Sequence, residues 1–150
     1  MITDALLQLS SAQAVTASAV STNTIDLGVA RDLGPGEDLY AVFTVDVAAT
    51  AAGAATVTFQ IISSASASLS SPTVLSSTDA IAKTDLTAGR KPITLCLNSA
   101  VLLAQPIGQR YLGVQYTIGT GPLTAGSFSC VITDTDVAVN KNYPSGFTVV

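Results

Sequence analysis

Apolar and polar residues alternate with period two along most of this chain, the pattern of strands with one buried face. From Leu39 to Val47, residues Leu39, Ala41, Phe43, Val45 and Val47 fall on one face, and Tyr40, Val42, Thr44 and Asp46 on the other. Val57, Phe59 and Ile61 alternate with Thr56, Thr58 and Gln60. Ile93, Leu95 and Leu97 alternate with Thr94, Cys96 and Asn98. Leu112, Val114, Tyr116 and Ile118 alternate with Tyr111, Gly113, Gln115 and Thr117, and Phe128, Cys130 and Ile132 with Ser127, Ser129, Val131 and Thr133. Weaker signals over Ala14–Val20, Thr24–Leu27 and Thr73–Ser76 bring the count to about eight strands, the number a jelly roll uses. Phe43, Phe59, Val114 and Phe128 are the expected centre of the core.

The breaks between these segments carry turn chemistry: Gly34-Pro35-Gly36, Ala52-Gly53, Ala88-Gly89 and Gly119-Thr120-Gly121-Pro122. Leu-Thr-Ala-Gly occurs twice, at Leu86–Gly89 and Leu123–Gly126, each time shortly before a strand. This is reused turn chemistry, not a repeat architecture. Asp4 to Ala14 predicts a turn or two of helix capped by Thr3 or Asp4, weakened by Ser10-Ser11. Ser63 to Ser71 is rich in Ser and Ala, with only Leu69 to bury, and reads as a surface loop. The expected fold is all-β: one antiparallel two-sheet sandwich of jelly-roll type over residues 1–150, with residues 1–9 and 137–150 as terminal arms. Leu6, Leu7, Leu9, Tyr143, Phe147 and Val149 are large apolar residues outside the strand rhythm. They are the candidate interface through which the arms reach a neighbouring subunit, with folding back onto their own sandwich as the alternative.

Composition sharpens this picture. Charged residues make up only 11% of the chain, against about 25% in soluble domains. Val47 to Thr78 contains none. A surface so poor in charge suits a protein whose faces are covered by partners, and a symmetric homo-oligomer is expected, a dimer in preference to a trimer. Ser, Thr and Pro72 interrupt the uncharged stretch, so no membrane span is expected. The net charge of −4 and six scattered basic residues argue against nucleic-acid binding, which needs clustered Lys and Arg. No basic segment precedes Arg31, so no secretory signal is expected. Cys96 and Cys130 are expected to be buried thiols and not a disulfide.

The inventory for catalysis is thin. The chain has no histidine, which removes Ser-His-Asp and Cys-His sites and the commonest metal ligand. Glu37 is the sole glutamate, and Glu37-Asp38 reads as a solvated turn. Asp134 and Asp136 point the same way on an extended segment, but Val139 stands where a calcium loop needs glycine, and a polar strand end is the simpler reading. Gly119-Thr120-Gly121 lacks the strand-to-helix setting of a phosphate cradle. No enzyme activity, cofactor or metal is expected.

The block Arg110–Ser129, RYLGVQYTIGTGPLTAGSFS, resembles the jelly-roll capsid cement, or decoration, proteins of tailed bacteriophages. Ser18–Gly28 with Ala30-Arg31-Asp32, Gly36–Tyr40, Ser71–Leu75 and Tyr143–Phe147 are similar in kind, whereas Leu95–Asn98 and Val101–Ala104 depart from the pattern. The resemblance implies a structural virion protein, made in the host cytoplasm. It implies an oligomer that binds the capsid exterior and stabilises contacts between major capsid protein subunits. The alternative is a carbohydrate- or receptor-binding β-sandwich of a phage tail or cell surface. Its sugar platforms would come from Tyr40, Tyr111, Tyr116 or Tyr143, since tryptophan is absent.

Overall fold

The strongest alternating segments become the central strands of two antiparallel sheets. The structure, a computed structural model, describes residues 4–30, 37–98, 101 and 106–134. Its strands are β1 (Gln8–Ala14), β2 (Ala19–Val20), β3 (Ile25–Asp26), β4 (Leu39–Thr50), β5 (Thr56–Ser64), β6 (Thr73–Ser77), β7 (Ile81–Ala82), β8 (Ile93–Leu97), β9 (Tyr111–Gly119) and β10 (Ala125–Thr133). One sheet has the order β1-β10-β4-β8. The other runs β2-β9-β5-β6, with β3 also on β9 and β7 also on β5. Taking β2 with β3, and β6 with β7, as two broken strands leaves four strands in each sheet, arranged as in a jelly roll. Leu95-Cys96-Leu97, which departs from the resemblance, is regular strand: β8 pairs β4 in unbroken register from Leu39↔Leu97 to Phe43↔Ile93.

The core lies between the sheets. Phe43, Phe59, Val114 and Phe128 are fully buried, as the alternation predicts, and Tyr116 joins them. Phe59 is the hub. Its ring centroid lies 5.1 Å from Phe43, 5.8 Å from Tyr116 and 5.3 Å from Phe128, the last two edge-on. Such pairs contribute about 0.5–1.5 kcal/mol each beyond the area they bury.

Burial of the Tyr116 ring raises its phenol pKa and forces the hydroxyl to find a partner. It donates to Ser10 Oγ (2.9 Å), which donates to Gln13 Oε1 (2.9 Å), while Gln13 Nε2 donates to the Val20 carbonyl (2.8 Å). A relay that is buried at Tyr116 and Ser10 and part-buried at Gln13 thus ties β9 of one sheet to β1 of the other. Ser10→Ala leaves the phenol without its acceptor and is expected to cost about 1–3 kcal/mol in urea unfolding. Adding Tyr116→Phe should recover part of that loss. A neutral Ser10→Ala would show that the relay does not hold the sheets together.

Several expectations are corrected by pairing. Of Asp4 to Ala14, only Ala5–Leu7 forms a helical turn, a 3-10 turn with Asp4 Oδ1 accepting from Leu6 N at 2.9 Å. From Gln8 onward the chain is strand, because β10 offers an open edge and Ser10-Ser11 disfavour helix. Ala14–Val20 is a corner: the chain leaves β1 at Ala14, buries Val15 and pairs again only at Ala19. β7, too short to show alternation, was not expected. Val47, assigned to the core face, is 51% exposed. Two register shifts, on either side of the Val47↔Ser127 pair, turn it outward and restore the phase at buried Ala49. Cys130 is buried and neither cysteine is in a disulfide, but Cys96 is only half-buried. It faces away from the core between the inward Leu95 and Leu97.

Ser63 and Ser64 extend β5, and the following loop folds back onto the outer face of its own sheet. Leu69 is buried there, against Gly113 of β9. Ser64 Oγ donates to the Ser70 carbonyl (2.8 Å) and accepts from Ser66 N (3.0 Å), and Leu69 N donates to the Ser66 carbonyl (2.9 Å). The loop is at the surface as expected, with Ala65, Ala67, Ser68, Ser70 and Ser71 exposed, and its one large residue, Leu69, is a latched plug.

Candidate functional site

Strand direction divides the molecule into two unlike ends. At one end the connections are short and plugged. Leu86 and Leu123, the first residues of the two Leu-Thr-Ala-Gly segments, are both buried there with Val15. Ala49 N donates to the Leu86 carbonyl (2.9 Å), and Thr124 N donates to the Thr50 carbonyl (2.7 Å), so the two segments flank the last residues of β4. At the other end stand the starts of β1, β4 and β9 and the exits of β3, β5, β8 and β10.

The second end has its own fastening. Asp26, the last residue of β3, sits opposite Tyr111 of β9. Its carboxylate takes Arg110 Nε at 2.6 Å and Nη2 at 2.7 Å, and Gly28 N at 2.8 Å. Gly28 holds φ +79°, which favours glycine, and lets the chain turn back so that Leu27 N reaches the Arg110 carbonyl (3.1 Å). The Arg110 hydrogen bond, then the Gly28 amide, lowers the Asp26 pKa. Both side chains are more than two-fifths exposed, so the pair sets geometry more than stability. It clamps the bases of the loops that follow β3 and precede β9.

Those loops and the neighbouring strand starts bear apolar side chains in solvent. Ile107 and Val29 are exposed, Leu6 is 83% exposed, and Leu39 opens β4 at 36%. Among the described residues, four of the six exposed large hydrophobics therefore gather at this end; Val47 lies on a sheet face far from it, and Val74 on the edge strand β6 opposite Ile62. Asp4, Asp26, Glu37, Asp38 and Asp134 lie at the same end, where Arg110 is the one cation that the described residues supply. The plugged end carries Lys83, Arg90 and Lys91 against Asp79 and Asp85. Lys83 Nζ donates to the Ala51 carbonyl, and Arg90 donates to the Asp85 and Lys91 carbonyls. The described residues are polarised: one end slightly basic and closed, the other acidic, apolar and open.

The candidate interface residues divide accordingly. Leu6 is exposed at the open end, Leu7 packs partly against the core, and Leu9 is fully buried within β1. Leu9 is therefore committed to its own sandwich, drawn in by the pairing of β1 with β10. Tyr143, Phe147 and Val149 lie outside the described residues, as does the arm 137–150. Val29 and Ile107 were not singled out from the sequence, and Leu39 was read only as part of the apolar face of its strand, whose rim leaves it 36% exposed. Pro106-Ile107-Gly108 held a signal: a large β-branched residue inside turn chemistry has no strand in which to be buried.

Of the tyrosines weighed as sugar platforms, Tyr116 is wholly buried, Tyr40 is half-buried, and half-buried Tyr111 has the Arg110 guanidinium 5.2 Å from its ring centroid. Tyr143 and the Asp136 half of the Asp134–Asp136 pair lie outside the described residues.

Compared with known protein families, the chain matches the one described as Bbp16, over residues 9–132. That span runs from Leu9 in β1 to Ile132 in β10, which is the sandwich from first strand to last. No curated protein matches the chain.

Proposed function

We propose that this chain, which belongs to the Bbp16 family, is a structural virion protein that binds the outside of a bacteriophage capsid as an oligomer and stabilises contacts between major capsid protein subunits. The observation that carries this reading is the open end. The sandwich completes its own core, yet it leaves Leu6, Val29, Leu39 and Ile107 in water together. Gathered exposed apolar residues mark surfaces that associate.

The resemblance to tailed-phage cement proteins supports the same reading, because its most characteristic block is structurally central. Arg110–Ser129 contains β9, the Gly119–Pro122 turn and the first half of β10. β9 and β10 are interior strands of the two sheets, so this block joins both layers of the sandwich. In this reading the chain needs no cofactor and carries out no reaction. Its work is to be rigid and to be covered.

Immunogold labelling of intact virions with antibody against this chain tests the placement. Gold distributed over the capsid exterior is expected. Label confined to the tail, or absent from virions that contain their full set of capsid proteins, would contradict it.

A further inference from the structure

We propose that the open end docks onto a basic protein surface with an apolar centre, and that it is not the contact through which copies of this chain join one another. The inference rests on the virion reading above, in which that surface belongs to the assembled shell. It says which part of the molecule faces the shell and what chemistry the shell must present.

The apolar part of the argument is position. Ile107 and Val29 stand on loops whose bases the Asp26–Arg110 pair fastens together, and Leu39 and Leu6 stand on the rim of the facing sheet. A fastened, exposed apolar group loses little freedom on binding, which favours affinity. The plugged end offers no such group, since Val15, Leu86 and Leu123 are buried in the core.

The charge part decides the partner. Arg31, Asp32, Asp136 and Lys141 cancel, so the net charge of −4 resides in the described residues. Among the described residues the open end carries Asp4, Glu37 and Asp38 besides the Asp26–Arg110 pair, in which the guanidinium neutralises the carboxylate. Joining two copies through this end about a two-fold axis would set the acidic group of Asp4, Glu37 and Asp38 against its own copy. Like charges brought together across an interface cost several kcal/mol. A surface bearing Lys or Arg around an apolar centre meets both features at once.

Co-sedimentation with shells assembled from the major capsid protein, and lacking this chain, is the test. The paired change Glu37→Lys/Asp38→Lys and the single change Ile107→Ser should each weaken binding about tenfold or more, as the loss of one good contact does. Wild-type binding should also weaken as salt rises. Lys91→Glu at the plugged end and Val47→Ser on the sheet face should bind as wild type does. All these residues are exposed, and unchanged melting temperatures would verify that the variants fold.

Open-end variants that bind normally, or loss of binding through Lys91→Glu alone, would overturn the inference while leaving the virion reading in place. Wild-type protein that ignores the shells would overturn the virion reading and the inference with it. Sedimentation velocity of the free protein separates self-contact. The oligomer should survive both open-end changes, and its dissociation by either would show that this end joins copies of the chain.

Discussion

Replacing Phe59 with alanine is expected to destabilise the protein by ~3–5 kcal/mol, the range for deleting a buried aromatic ring. The ring is wholly buried and is in contact with Phe43, Tyr116 and Phe128, which come from both sheets. Its removal leaves a void at the junction of three other rings. None of them can collapse into that void without leaving its own neighbours, so the cavity contribution adds to the lost transfer energy. Thr58, one residue earlier, faces away from the core opposite Thr117. Thr58→Ala should therefore cost far less, within about 1 kcal/mol of wild type. Urea unfolding of the two variants checks this, and equal midpoints would mean that the faces of β5 are assigned the wrong way round.

The second large effect is expected at Gly113, through space that another residue occupies. A Cβ built on Gly113 would lie 2.3 Å from Leu69 Cδ1, closer than non-bonded atoms approach, and a tight 3.0 Å from Ser21 Oγ. Leu69 cannot easily yield. Its backbone holds φ +53°, Ser71 holds +48°, and the Ser64 hydroxyl pins the loop at Ser66 and Ser70. Left-handed backbone at non-glycine residues costs about 1–3 kcal/mol each and persists only where surrounding contacts enforce it. Gly113→Ala is expected to cost at least about 1–3 kcal/mol by overpacking, and more if the plug is expelled. Leu69→Ala alone should cost about 2–5 kcal/mol. The double variant should cost much less than the sum, because the alanine methyl group then fills space that the leucine has vacated. Additive losses in chemical denaturation would show that Leu69 does not sit on Gly113.

What could be read in advance follows from this contrast. Phe59, Phe43 and Phe128 lie on long alternating strands, where each residue's face follows from its neighbours. β1 hid its nature because Ala5, Leu6 and Leu9 also share a helical face, and only the free edge of β10 decides between the two. β7 spans two residues, too few to show a period, whereas β3 falls inside the weak signal over Thr24–Leu27. The bulges that expose Val47 depend on the partner strand and leave no local trace. Leu69 stood out as the lone large residue of a Ser/Ala run, but its seat at Gly113 is far along the chain. The open end was legible only in part. Leu6 was noticed for lying outside the strand rhythm, and Leu9 was grouped with it because a terminal apolar run looks the same whether it pairs or projects. Val29 and Ile107 escaped because single apolar residues in loops are common. Only the topology brings them to one place.

Heat challenge of the shell tests the central claim most directly. Shells assembled from the major capsid protein without this chain would be heated alone and with saturating purified protein, and particle integrity followed by light scattering and electron microscopy. If the chain stabilises contacts between capsid subunits, the decorated shells should disassemble at a clearly higher temperature, with a fixed stoichiometry of bound chain. Shells that bind the protein yet fall apart at the temperature of bare shells, or bind none of it, would contradict the proposed function.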